Sequence, residues 1–144
     1  MKFSEKVRQA RMVANLSQSQ LAQKIGVSKR AVAAYETENT RPRERTMYHL
    51  AKALGVSVKY LSDIKCTNPL EEIEKDEAML RTYELYGKSD ADKLSELLTQ
   101  NKALFAGGSL SEDELDRYFQ ALTETYLQAK LQAKLKFGKK QANG

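Results

Sequence analysis

An all-α fold is predicted for this chain of 144 residues by three observations. It holds only seven Gly and two Pro, and most of the remaining residues are good helix formers. Apolar residues recur at spacings of three and four along most of its length. Serines that precede Gln or Glu by three positions punctuate the pattern as helix starts. With 41% apolar and 30% charged residues the composition is globular rather than disordered. The length suits one ordinary domain or two small ones joined by a short link. The predicted architecture is a five-helix domain over residues 1–65, followed over 66–144 by a helical domain of about three helices with a frayed basic tail.

The first helix is predicted from Ser4 to Ala14, with Phe3, Val7, Ala10 and Ala14 along one face. Ser17 caps the second, and Gln20 completes a capping box. That helix runs to Ile25 and stops at Gly26. Ser28 caps the third, which runs to about Thr37. "TENTRPR" is a loop, since Pro42 disfavours helix at Arg41. The fourth helix spans about Glu44 to Leu54 and ends at Gly55, and Ser57 caps a short fifth, "VKYLSD".

"CTNPLE" is the predicted linker, where Pro69 stands and the charge changes sign. Three helical patterns follow. The first covers 71–86, with Ile73, Met79, Leu80, Tyr83 and Tyr86. The second covers 90–105, capped by Ser89, with Leu94, Leu97, Leu98, Leu104 and Phe105, and "AGGS" breaks it. The third opens on the capping box of Ser111 and Glu114 and reaches about Phe137.

The overall +5 conceals a division. Residues 1–65 carry 13 Lys/Arg against 5 Asp/Glu, a net +8, and residues 66–129 carry 6 against 14, a net −8. The last 15 residues add five lysines and no acid. A basic half beside an acidic half points to a polyanionic partner for the first half only. No apolar run is long enough for a membrane span, and the charged start "MKFSEKVRQARM" lacks the apolar stretch of a signal peptide. The single cysteine, Cys66, cannot form an internal disulfide, so a cytoplasmic setting is expected.

Enzyme chemistry finds little material. His49 has no Cys or carboxylate cluster at metal spacing and is read as a surface residue. Cys66 has no partner for nucleophilic work. "AGGS" follows a helix and lacks the lysine of a phosphate loop. The pairs Glu71–Glu72 and Asp113–Glu114 are read as charges favourable to helix N-termini. No cofactor is implied.

One stretch resists the bland reading. In "LSQSQLAQKIGVSKRAVAAYE", Lys29 and Arg30 open a helix. A helix N-terminus disfavours cations by roughly 0.3–1 kcal/mol each. The nearly bare Ala31, Ala33 and Ala34 follow. Within Gln18–Thr37, Leu21 and Ile25 lie one turn apart on one helix, and Val32 and Tyr35 share the buried face of the next. Ala22 leaves room for close crossing, and Gly26 can take the positive φ that stops a helix sharply.

This stretch, followed by "RPRERTMYHLAKALGVSVKYL", resembles the helix-turn-helix of the lambda-repressor-like, or XRE, family over about residues 4–63. Glu44 departs from it, standing where the family usually has an apolar residue. The resemblance implies that the third helix is a recognition helix whose start enters the major groove of double-stranded DNA. Lys29 and Arg30 then face guanine O6 and N7. Ala33 and Ala34 let the helix sit deep and are candidates for thymine methyl contact. Gln18, Ser28, Arg41 and Arg43 are the expected phosphate contacts, which position without reading sequence. The implied function is a sequence-specific transcriptional regulator, a repressor binding a palindromic operator as a dimer. The alternative is an antitoxin or protein-interaction adaptor whose acidic C-terminal helices bind a partner protein.

In the last helix Leu115, Phe119, Leu122, Tyr126, Ala129 and Ala133 form a heptad-like seam, the candidate dimer contact. Leu127, Leu131 and Leu135 form a second stripe. Two readings stand: both stripes buried in a monomeric three-helix bundle, or one turned to a second chain. DNA would repel the acidic second half, which suits dimerising or sensing. Tyr83, Tyr86, Tyr118 and Tyr126 are expected to pack in a core rather than line a ligand pocket. The terminal lysines are expected to compensate the helix C-terminus. No effector, small molecule or protein, is specified.

Overall fold

A computed structural model describes residues 1–105 and 111–142; Leu104 and Phe105 as side chains, and the "AGGS" break, lie outside what is described. The described residues form eight helices and no strand. They are α1 (Phe3–Val13), α2 (Gln18–Ile25), α3 (Lys29–Thr37), α4 (Glu44–Leu54), α5 (Val58–Ser62), α6 (Ile73–Tyr86), α7 (Lys88–Phe105) and α8 (Glu112–Ala142). The chain divides into two compact units, Met1–Leu80 and Arg81–Gly144.

The first unit is built around Val7, Leu21, Val32, Leu50 and Leu61, all essentially inaccessible, with Phe3 and Tyr35 meeting edge-on at 6.5 Å. These residues come from α1 through α5, so each amphipathic face contributes to one core. The cap chemistry is as expected. Ser17 Oγ accepts from Gln20 N–H at 3.0 Å while Gln20 Oε1 accepts from Ser17 N–H at 2.8 Å. Ser57 Oγ accepts from Tyr60 N–H at 3.0 Å. Gly55 takes φ +71° at the end of α4. α1 starts one residue earlier than Ser4, because the Glu5 carboxylate accepts from the Lys2 N–H at 3.2 Å.

The first unit runs to Leu80 rather than ending at residue 65. The expected linker is part of it. Cys66 is buried in the core, its thiol 3.2 Å from a Glu71 carboxylate oxygen. Ser57 N–H donates to Pro69 O at 2.7 Å. Lys59 pairs with Glu71 at 2.6 Å and Glu72 at 3.7 Å. The two glutamates therefore serve Lys59 and not a helix start. Glu72 sits at φ +64°, and α6 begins at Ile73, two residues later than expected. His49, expected on the surface, is half-buried.

Asp76 Oδ2 accepts from the Val58 N–H at 2.7 Å, closing the start of α5. Burial pushes the Asp76 carboxyl up to about 6, with the Val58 hydrogen bond and Lys75 opposing and Glu72 assisting. The folded state thus holds this proton more tightly than the unfolded state. Its contribution favours folding below about pH 4 and is lost as pH rises through 6. Asp76→Asn is expected to raise stability at pH 7 by on the order of 1 kcal/mol, after discounting for partial solvent access. It should also flatten the dependence between pH 4 and 6. Thermal melts of both proteins across that range check this.

In the second unit Tyr83, Ala91, Leu94, Leu98, Thr123 and Leu127 are buried. Gly87, at φ +87°, lets the helix break and restart at once. α7 therefore begins at Lys88, and Ser89 lies inside its first turn rather than at the cap. α7 and α8 run antiparallel: Tyr118 Oη meets Asn101 Oδ1 at 3.2 Å, and Tyr126 Oη meets Asp90 Oδ1 at 3.3 Å. Lys130 pairs with Asp90 at 2.6 Å and, as the first cause, holds that carboxyl below its ordinary range. Ser111 Oγ accepts from Glu114 N–H at 3.2 Å, at the expected start of α8. The tail continues as helix to Ala142 instead of fraying after Phe137, a placement the helix dipole favours for lysines. Of the four tyrosines expected in a core, Tyr83 is buried, Tyr86 and Tyr126 are half-buried, and Tyr118 is 38% exposed.

Candidate nucleic-acid interface

The turn between α2 and α3 is three residues, Gly26, Val27 and Ser28. Gly26 adopts φ +72°. A Cβ there would meet nothing within 4 Å, so the left-handed backbone and not lack of space requires glycine. Val27 N–H donates to Ala22 O at 3.0 Å, which folds the chain back over α2. Ala22 is 4% exposed and lets the helices approach. Ser28 is extended, and its Oγ accepts from Ala31 N–H at 3.1 Å. Two further N–H groups of the first turn stay free of intrahelical bonds by the geometry of any α-helix.

Lys29 and Arg30 are fully on the surface at this end. Their helix face continues with Ala33 and Ala34, both half-buried, while Val32 and Tyr35 hold the opposite face in the core. The arrangement is a basic tip on a helix whose next turn is nearly free of side chains. It can approach a concave polyanion more closely than a helix with long side chains there.

What fixes the orientation of α3 was not legible as a site. Glu36 is 9% exposed, yet charged. Its carboxylate accepts from Arg11 Nε at 2.8 Å and Arg11 Nη2 at 2.9 Å, a bidentate pair. Arg11 Nη1 also donates to Leu16 O at 2.8 Å. Gln18 Nε2 donates to the same Glu36 carboxylate at 3.4 Å. One anion thus ties α1 and α2 to the end of α3. The Glu36 hydrogen bond, as the first cause, raises the Arg11 guanidinium above its ordinary value. The available signal was spacing: Glu36 follows Val32 by one turn and falls on the buried face, where a carboxylate needs a partner.

Gln18 therefore faces Glu36, and its side chain is half-buried rather than free. Arg41 is exposed but anchored, with Nη1 donating to Ser62 O at 3.1 Å and the guanidinium 5.2 Å from the Phe3 ring centre. Arg43 is exposed at the start of α4 and makes no side-chain cap bond. Glu44 is exposed beside it, so an apolar residue has no core to enter there. Asn39, at φ +53°, accepts from Ser4 N–H at 3.1 Å and fixes the loop between α3 and α4 to the start of α1.

Among the described residues, no group of three His, Cys, Asp or Glu is placed to hold a metal ion. No helix among them is long and apolar enough to cross a membrane.

A short α2, a three-residue turn and an α3 with an exposed basic start, packed on α1 and α4, define a helix-turn-helix unit of the kind that binds DNA. A family model described as helix-turn-helix matches residues 7–61. The chain belongs to the lambda-repressor-like (XRE) family of helix-turn-helix transcriptional regulators. It is 34% identical over 80 residues to the cryptic phage CTXphi transcriptional repressor RstR of Vibrio cholerae, covering 56% of this chain and 72% of that one. It is 34% identical over 59 residues to the HTH-type transcriptional regulator YqaE of Bacillus subtilis, covering 41% and 51%. It is 38% identical over 66 residues to a transcriptional regulator in the ATPase CF(0) region of Rhodospirillum rubrum, covering 45% and 61%. The chain thus spans only about half to three-fifths of the length of the last two. No solved structure matches it significantly.

Proposed function

We propose that this chain is a sequence-specific transcriptional repressor that works in the cytoplasm as a dimer on a palindromic operator. The observation that carries the reading is the exposed pair Lys29–Arg30 at the start of an α3 whose other end is pinned by Glu36. Lys29 and Arg30 donate to base edges in the major groove. Ala33 and Ala34 bring the helix close enough for them to do so. Ser28 and Arg43 bind phosphate, as do the remaining N–H groups of Arg41. Gln18 reaches a phosphate with the amide hydrogen that Glu36 does not take. Repression follows from occupancy of the operator; the Vibrio relative is itself named a transcriptional repressor.

The dimer is proposed on α8, through the seam of Leu115, Phe119, Leu122, Tyr126, Ala129 and Ala133. The first four are half-buried and the last two exposed, so the seam opens toward its C-terminal end. A dimer would place two α3 tips in successive major grooves, about 34–36 Å apart.

Arg30→Ala and Arg43→Ala separate base reading from phosphate binding. Arg30→Ala is expected to cost about 1–3 kcal/mol on the preferred duplex and to relax preference at one base position. Arg43→Ala should weaken all duplexes alike and lower the slope of log affinity against log salt by about 1. Titrations on matched and mismatched duplexes at several salt concentrations make the comparison. Uniform loss with both variants would remove Arg30 from base readout.

A further inference from the structure

α8 is 31 residues long, whereas the α7 beside it has 18. Asp90 lies against Tyr126 and Lys130, and Lys134 Nζ is 5.6 Å from the ring centre of Tyr86, which precedes α7. By residue 134, then, α8 has passed the first residue of α7. Its last eight residues extend about 12 Å beyond the pair at 1.5 Å per residue. Leu127 is 6% exposed inside the pair, but the same stripe emerges at Leu131, 48% exposed, and Leu135, 58% exposed. A helical overhang gains most of its stability from packing its apolar face, not from propensity.

The charges on this helix are sorted by position. Residues 112–126 hold five acids and one arginine, a net −4, whereas residues 127–142 hold five lysines and no acid. Such a helix is complementary to a reversed copy of itself and repels a parallel copy.

We propose that α8 pairs with α8 of a second copy of this chain in antiparallel register about its midpoint near Leu127, so that the basic second half of each α8, with Leu131 and Leu135, covers the acidic first half of the partner's α8. The proposal deepens the dimer part of the function proposed above and rests on it. It differs from that reading in making the C-terminal stripe and the charge blocks, rather than the heptad-like seam, the source of specificity. Two leucines per chain make a small apolar contact, so the pairing draws on charge and weakens with salt.

Spin labels at single introduced cysteines test the orientation in the full chain; Cys66 is 6% exposed and is not the labelling target. Three homodimers are compared, carrying Asp113→Cys, Gln128→Cys or Lys136→Cys. Antiparallel pairing predicts label-to-label separations near 40 Å, 10 Å and 27 Å in turn, from about 1.5 Å per residue along the axis and 8–10 Å between axes. Dimer affinity, measured by sedimentation, should weaken roughly tenfold or more between low and high salt. Three equally short separations would overturn the antiparallel arrangement and leave the dimer standing. A chain that sediments as a monomer at all concentrations, with no dipolar coupling at any site, would overturn both. The Arg30→Ala titration would still judge DNA binding.

Discussion

Glu36→Ala is expected to destabilise the first unit by about 3–5 kcal/mol, because it leaves the Arg11 guanidinium without its bidentate partner in a largely dry site. The Glu36 side chain is 1% exposed and that of Arg11 15%. An exposed pair would be worth a fraction of this. The loss also removes the acceptor of the Gln18 amide, which shares the carboxylate. In a unit of this size each kcal/mol moves the melting temperature by about 4–8 °C. A fall of well over 10 °C is therefore expected, measured by circular dichroism. Glu36→Gln keeps the shape and one acceptor and should fall between the two. The paired change of Arg11 to Met with Glu36 to Leu removes both charges together. It should recover most of the loss, which separates the penalty of an orphaned charge from loss of packing.

Lys6→Met should cost about 2–4 kcal/mol for a different reason. Lys6 is 2% exposed, without a carboxylate among its hydrogen-bond partners. Its Nζ donates to Tyr60 O at 2.6 Å, Asp63 O at 3.0 Å and Cys66 O at 2.9 Å, and lies 4.4 Å from the Tyr60 ring centre. All three ammonium protons are used. The acceptors are carbonyls at and beyond the end of α5, a helix of five residues that cannot satisfy them itself. Methionine fills the same channel and takes the ammonium donor from the Tyr60 and Cys66 carbonyls, while Asp63 O keeps the Cys66 N–H at 3.0 Å. Amide hydrogen exchange should show the segment after α5 opening first, with the α2–α3 turn keeping its protection. Equal loss of protection at both would mean that Lys6 serves the whole core and not that segment.

The two residues show where sequence reasoning stops. Helix positions followed from caps and spacing, because Ser17, Ser28 and Ser57 act on neighbours within three residues and Gly26 and Gly55 act on their own backbone. Those are local causes. Lys6 and Glu36 were legible only as charges, because their partners lie 54 and 25 residues away. The linker at Cys66 failed for the same reason. Proline, charge reversal and a polar run mark a break locally, yet Lys59, Ser57 and Val58 reach across to hold it. At the candidate site, the exposure of Lys29 and Arg30 followed from the register of Val32 and Tyr35. The anchoring of Arg41 on Phe3 and Ser62 did not, since it depends on how the loop after α3 returns to α1 and α5.

The central claim is that the basic start of α3 reads a duplex from within its major groove. Selection of bound duplexes from a random pool, run with the full chain and with a Lys29→Ala/Arg30→Ala double variant, tests it most directly. The expected result is a palindrome with half-site centres about ten base pairs apart, with guanine at the positions that the variant no longer selects. Recovery of the same palindrome by the variant, or no enrichment by the full chain at low salt, would contradict it.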